Sequence, residues 1–311
     1  MENRFILSTS PHIFTRTETP KIMKDVIIGL LPAALASIYF FRLRAIILLT
    51  TCIISCVVSE YIFEKLMKKK ITVGDYSAVV TGMLLAFILP PAAPFWICII
   101  GSLVAIILTK QIFGGLGSNI FNPALLGRAM LMAAFPTFLT TWSKPLTLDV
   151  ITGATPLGLS KFEHVLTDYW GLIIGSVPGS LGETSALALI LGAIYLFYRK
   201  VIDYRIPLAY ILTVAIIGFV TNSANPSAYP PLGFHIFAGG LLLGAFFMAT
   251  DPVTSPVTKK GRWVFGIGCG VITMVIRLWG GLPEGVMYSI LLMNAFTPLL
   301  NKITRPRRYG T

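Results

Sequence analysis

An all-α integral membrane protein of about ten spanning helices, arranged as two inverted five-helix repeats, is the fold class that this 311-residue sequence predicts. Three observations predict it. Hydrophobic residues make up 55% of the chain and charged residues only 12%, against roughly 25% charged residues in a soluble domain, and the mean hydropathy is +0.79. The apolar residues gather into runs approaching the roughly 20 residues that a bilayer-spanning helix needs. Lys and Arg collect at alternate ends of those runs, as the positive-inside rule requires.

Residues 1–21 are expected to be a cytoplasmic segment. Met1 to Asp25 is polar, without an apolar core followed by a small-residue cleavage site, so the first span serves as its own insertion signal. The first membrane half, residues 22–140, holds expected helices at Ile22 to Phe41, Ala45 to Phe63, Tyr76 to Pro91, Phe95 to Phe113 and Pro123 to Thr140. A polar extracytoplasmic connection fills residues 141–183. The second half, residues 184–301, holds Thr184 to Tyr198, Pro207 to Asn222, Phe234 to Thr250, Trp263 to Trp279 and Gly285 to Leu300, before a basic cytoplasmic tail at 302–311. The third, sixth and seventh runs are short enough to be broken or tilted.

With the N-terminus in the cytoplasm, only Arg42, Arg44, Lys144 and Lys161 fall outside, and Arg128 and Arg277 fall within spans. Every other Lys and Arg, Lys110 included, reaches the cytoplasmic side. The net charge of +12 is then accounted for by basic loops lying against anionic headgroups, with no nucleic acid to be bound. An echo supports the two halves. Thr81-Gly82-Met83-Leu84-Leu85-Ala86-Phe87 in the third run is matched by Gly239-Gly240-Leu241-Leu242-Leu243-Gly244-Ala245-Phe246 in the eighth, and Gly114-Gly115-Leu116 by Gly280-Gly281-Leu282. An offset of five helices inverts one half relative to the other.

The outward connection carries Asp149-Val150-Ile151-Thr152-Gly153-Ala154-Thr155, followed by Pro156. Gly153 and Ala154 leave the backbone accessible, and Pro156 biases Thr155 towards an extended conformation, as suits an exposed acceptor hydroxyl. The same composition also describes an ordinary turn. Together with Asn122-Pro123-Ala124-Leu125-Leu126-Gly127-Arg128 and Ala249-Thr250-Asp251-Pro252-Val253-Thr254-Ser255-Pro256, this stretch and the ten-helix plan resemble the D-type membrane protein of Rnf complexes over nearly the whole chain. That family is itself similar to the B-type membrane protein of sodium-pumping NADH:quinone reductases, whose long cytoplasmic N-terminal extension is not seen here.

The resemblance implies a membrane component of an ion-translocating ferredoxin:NAD oxidoreductase in a bacterial or archaeal cell membrane. It implies FMN attached by a flavin transferase to Thr155 through a phosphoester, with Asp149, Thr152, Gly153 and Ala154 as the recognised signal. A second, non-covalent flavin, riboflavin or FMN, is implied as well, along with the A, B, C, E and G components of an Rnf complex as partners and transport of Na+ or H+. No Gly-rich nucleotide signature follows a strand, so NADH and ferredoxin are expected to dock on those partners.

Ionisable residues at membrane depth are functional candidates. Arg128 and Arg277 could each pair with a flavin phosphate, a ring oxygen or a carboxylate, or else snorkel to the headgroups. Asp251, in a Pro- and Thr-rich break, and Asp75, before the third run, are candidates for a cation path, though an Asp at a helix start is commonly an N-cap. Cys52, Cys56, Cys98 and Cys269 show no cluster spacing, and no metal site is expected from them or from His12, His164 and His235. Trp142, Trp170, Trp263 and Trp279 suit interfacial belts, and any of them could stack on a flavin ring. The competing class is a solute channel or transporter on the same inverted-repeat plan, with no redox role.

Overall fold

The computed structural model describes residues 18–146, 153–183, 185–226 and 228–306. Asp149 and Thr152 of the outward motif lie outside the described residues, as does His12. The regular elements described are helical: α1 (Thr19–Phe41), α2 (Leu43–Leu66), α3 (Ser77–Ile88), α4 (Phe95–Leu103), α5 (Pro123–Ala134), α6 (Pro136–Leu139), α7 (Pro156–Gly158), α8 (Tyr169–Ile174), α9 (Ala186–Tyr198), α10 (Arg205–Ala224), α11 (Leu232–Phe237), α12 (Leu241–Leu243), α13 (Lys259–Trp279) and α14 (Val286–Ile303). Wider π-helical turns extend three of them, at Val104–Gln111, Leu159–Glu163 and Gly244–Met248. Helices α1, α2, α10 and α13 are long and apolar enough to cross a membrane, and Ser77–Ile88, Phe95–Gln111, Pro123–Ala134 and Ala186–Tyr198 are shorter apolar helices.

Local chemistry sets the starts. Asn122 caps α5, its Oδ1 accepting from the N–H groups of Ala124 and Leu125, with Pro123 in the first turn where its missing N–H costs nothing. Ser185 caps α9 and Thr258 caps α13 in the same way. Two expected runs prove discontinuous. The fifth stops at Ala134 because Pro136 excludes Phe135 from the helical region (φ −134°, ψ 56°), and a short helix follows.

The eighth, expected as one helix, breaks between α11 and α12. Ala238 is extended, and Gly239 takes φ +73°, a left-handed conformation open to glycine at little cost. The seventh run, expected to be short, is instead the unbroken α10.

Helix α10 packs on α13, α2 on α3 and α4, and α1 on α9, while α5 touches α14. One large apolar core runs through both halves of the chain, with smaller buried clusters around Leu157 and around Cys56. At the α1–α9 crossing a Cβ on Gly192 would lie 1.9 Å from the Gly29 carbonyl oxygen, so the two backbones meet as small-residue membrane helices do. Large apolar side chains cover the outside, with Leu35 66% and Phe219 63% exposed, the arrangement of a surface that faces lipid rather than water. Asn122 Nδ2 donates to the Met248 carbonyl (3.3 Å), which ties the start of α5 to the broken helix. Two cavities lie at opposite ends of α5: Pro123 and Ala124 line one, Arg128 and Met132 the other.

Candidate functional site

Thr155 stands at the second of these cavities. Pro156 holds it extended, at φ −67° and ψ 154°, and its half-buried hydroxyl accepts from the Gly158 N–H (3.2 Å), so the hydroxyl caps α7. Gly153 N–H donates to the Trp142 carbonyl (3.0 Å), fastening the motif to the start of the connection. A side chain at Gly153 would meet Pro178 Cγ at 3.1 Å, which explains a small residue there. Ala154 is exposed.

One further contact locks the segment. Lys161 Nζ donates to the carbonyls of Ile276 (3.0 Å), Gly280 (2.5 Å) and Leu282 (2.9 Å), spanning the end of α13 and the turn beyond it. Burial pushes this ammonium below its ordinary range. A hydrogen bond to a charged group is worth about 1.5–3 kcal/mol, so Lys161→Met is expected to cost about 2 kcal/mol, seen as a lower melting midpoint in detergent. Lys161→Arg should recover part of it, and an unchanged midpoint for the Met variant would deny the clamp.

The cavity holds about 900 Å³, counting its open mouth. Its walls are largely apolar, with Trp142, Phe237 and Tyr288 as the aromatic members. Among the interfacial tryptophans, Trp142 is therefore the one that shares a cavity with Thr155. Arg128 reaches in from α5 and pairs with Glu284 (Nη2 to Oε2 3.6 Å), the two side chains being 12% and 19% exposed. Arg277 is buried behind the wall and donates to the carbonyls of His235 (2.6 Å) and Ala238 (3.0 Å). These are carbonyls freed by the break between α11 and α12.

Each arginine thus has a partner inside the protein, Arg128 in Glu284 and Arg277 in the two carbonyls.

Two carboxylates complete the site, and sequence reasoning missed both. Glu284 Oε1 accepts from the Gly240 N–H (2.6 Å), closing the same helix break from the other side. Glu183 lines the same cavity, its Oε1 and that of Glu284 both crowding the position a Gly240 Cβ would take, and its carboxyl is pushed up to about 7, chiefly by burial, next by the Glu284 charge, against the opposing pull of Arg128. The signal available was scarcity: the chain has only 13 acidic residues, and each of these two borders an apolar run.

Of the remaining candidates Asp251 lies at the other cavity, of about 740 Å³, and Asp75 contacts Ser77 of its wall. Asp251 lines it and accepts from Val253 N–H (3.3 Å) and Thr254 Oγ1 (3.1 Å). Asp75 accepts from the Ser77 N–H (2.7 Å) and Oγ (2.5 Å) at the start of α3, a capping position. Ser77 Oγ in turn accepts from Lys110 Nζ (2.5 Å), which is bound to Glu60 (2.6 Å). Lys110 is 1% exposed. It is thus removed from the headgroup-facing cations, a correction to the charge assignment, because a buried carboxylate holds it. Asn119 Oδ1 is buried here without a hydrogen-bond partner. The four cysteines are buried and unpaired in disulfides. Among the described residues no three His, Cys, Asp or Glu gather to hold a metal ion.

The family model for the NQR2, RnfD, RnfE family matches residues 6–310. The D component of the Na(+)-translocating ferredoxin:NAD(+) oxidoreductase complex of Acetobacterium woodii is 49% identical, covering 99% of this chain and 96% of that protein. The D component of the proton-translocating ferredoxin:NAD(+) oxidoreductase complex of Clostridium ljungdahlii is 45% identical over 100% and 97%, and that of the ion-translocating oxidoreductase complex of Halorhodospira halophila 39% over 98% and 95%. Helices long and apolar enough to span a bilayer, with matches that run the full length to named D components, lead to one assignment: the chain is a multi-pass membrane protein and belongs to the NQR2, RnfD, RnfE family.

Proposed function

We propose that the chain is the D component of an ion-translocating ferredoxin:NAD oxidoreductase, with FMN esterified to Thr155 in the larger cavity. The observation that carries this reading is the position of the Thr155 hydroxyl, half-buried on an extended, proline-set backbone at a cavity walled by Trp142, Phe237 and Tyr288 and charged by Arg128. FMN accepts one or two electrons and so joins one-electron iron–sulfur partners to two-electron donors. In this setting the tether keeps the cofactor from dissociating, Arg128 offsets negative charge, and the aromatic walls give flat surfaces for a ring system.

A second, non-covalent flavin fits the smaller cavity. Asn119 Oδ1 has no donor there, which a ring imide N–H would supply, and Asn122, Thr250 and Asp251 add polar groups to a mostly apolar wall. In this reading the chain crosses the membrane ten times in two inverted halves. Thr155 faces outward and the termini face the cytoplasm, so the two flavins sit at opposite ends of α5. Asp251 and Asp75 border the inner cavity and its approach as candidate residues of the cation path, taking Na+ or H+. Relatives of similar identity bear names of both kinds.

Intact mass spectrometry of the native chain beside Thr155→Ala tests the reading. A mass increment of one esterified FMN, present in the native chain and gone from the variant, is the expected result. Identical adduct-free masses, with solute flux through the isolated protein, would replace this proposal by the transporter alternative.

A further inference from the structure

We propose that Glu183 and Glu284 share a single exchangeable proton at neutral pH and take up or release it as the charge in the Thr155 cavity changes. The inference rests on the flavin reading only for the source of that charge; the shared proton rests on geometry. The Oε1 atoms of both carboxylates crowd the position a Gly240 Cβ would take, in one shared cavity, and two ionised carboxylates are both pure acceptors, so their close approach is sustained when one of them carries a proton.

Their surroundings fix both groups in place. Glu284 Oε1 is held by the Gly240 N–H, and Glu183 Oε1 is buried without a partner, although its side chain lines the cavity. A side chain at Gly240 would lie 2.8 Å from Glu284 Oε1 and 3.3 Å from Glu183 Oε1, so the missing Cβ makes room for the two oxygens to face one another. The charged neighbours are Arg128 from α5, 3.6 Å from Glu284, and Arg277 from α13, whose Nη2 lies 3.2 Å from the position a Gly239 Cβ would take. Tyr288 of α14 lines the same space.

Two cations set against two carboxylates leave the cluster near neutrality, and a proton on the pair leaves it positive. Such a site responds to charge placed in the cavity. An electron arriving from a one-electron iron–sulfur donor adds one negative charge. Uptake of one proton from the aqueous phase forms one O–H bond on the pair, breaks none in the protein, and restores the total charge. When the electron leaves for the next one-electron carrier, the proton leaves as well. Like charges sharing a small site cannot both stay ionised, and that is why the pair rather than either residue alone titrates.

The test uses the purified complex and infrared spectroscopy in the carboxylic C=O region. A band that titrates near pH 7, lost in both Glu183→Gln and Glu284→Gln and displaced in Glu284→Asp, is expected. Native protein without such a band overturns the shared proton whether or not flavin is bound. On reduction at about pH 8, where the pair starts mostly ionised, native protein should take up close to one more proton per electron stored than either Gln variant, read with a pH-indicator dye at matched in-gel flavin fluorescence. Equal uptake in flavin-loaded native and variant proteins overturns the coupling, whereas a native chain lacking flavin fluorescence sinks the underlying flavin reading and leaves the band titration to judge the pair.

Discussion

With Thr155 replaced by alanine, ferredoxin-dependent NAD reduction by the assembled complex is expected to fall to background, at least about 100-fold below native on the scale of a lost obligatory carrier. The hydroxyl has two roles that the substitution removes together. In the proposed function it is the acceptor for the phosphoester, and in the structure it caps α7 through the Gly158 N–H. Losing an N-cap costs only about 1 kcal/mol, far too little to empty a complex of activity. The roles separate in other variants. Thr155→Asn keeps a capping oxygen but offers no hydroxyl, so it should be as inactive as alanine, while Thr155→Ser keeps both and should retain flavin and turnover. Added free FMN should not rescue the alanine or asparagine forms, since a cavity that opens to solvent holds an untethered cofactor by contacts alone. Turnover in the Asn variant near the native rate would mean that the capping oxygen, and not the ester, is what the site needs.

How much of this site the sequence reveals depends on whether the governing physics is local. The extended backbone of Thr155 follows from its neighbour Pro156, and the start of α5 from Asn122-Pro123, because steric exclusion and capping act within three residues. The lipid-facing surface follows from composition. Partnerships across the chain are another matter. Arg128 meets Glu284, and Lys110 meets Glu60, through packing that no helical period encodes.

Lys110 is the instructive case. At the end of an apolar run beside the Gly114-Gly115 break it reads as a headgroup-facing cation, yet the π-helical stretch Val104–Gln111 turns it inward against α2. The break between α11 and α12 has the same character. Gly239-Gly240 is visible as a repeat of small residues, but that it is an interruption, stabilised by Arg277 and Glu284 from α13 and the turn before α14, depends on contacts about 40 residues away in sequence.

Arg277→Met should then be the most damaging substitution for stability. Arg277 is 4% exposed and gives its two Nη groups to the carbonyls of His235 and Ala238, which the helix break has deprived of their own donors. Each buried carbonyl left unpaired costs about 1–3 kcal/mol, and removing a buried charge from a compensated cluster costs about 3–5 kcal/mol. Taking about 4 kcal/mol for the whole, the melting midpoint in detergent should drop by about 6 °C for a chain of this size. Lys, a point charge on a thinner stem, should recover less than half, since it lacks the fork that reaches two carbonyls at once.

The same variant has a second, independent consequence. Glu183 loses a nearby cation, and a cation favours the ionised form of a carboxyl, so Glu183 should hold its proton to higher pH than its native value of about 7. In the infrared titration the carboxyl band of Arg277→Met, studied under conditions where the variant remains folded, should persist above the pH at which the native band fades. A band that fades at the native pH or below it would show that Arg277 supports the broken helix without sensing the carboxylates, and would confine its role to the backbone it holds.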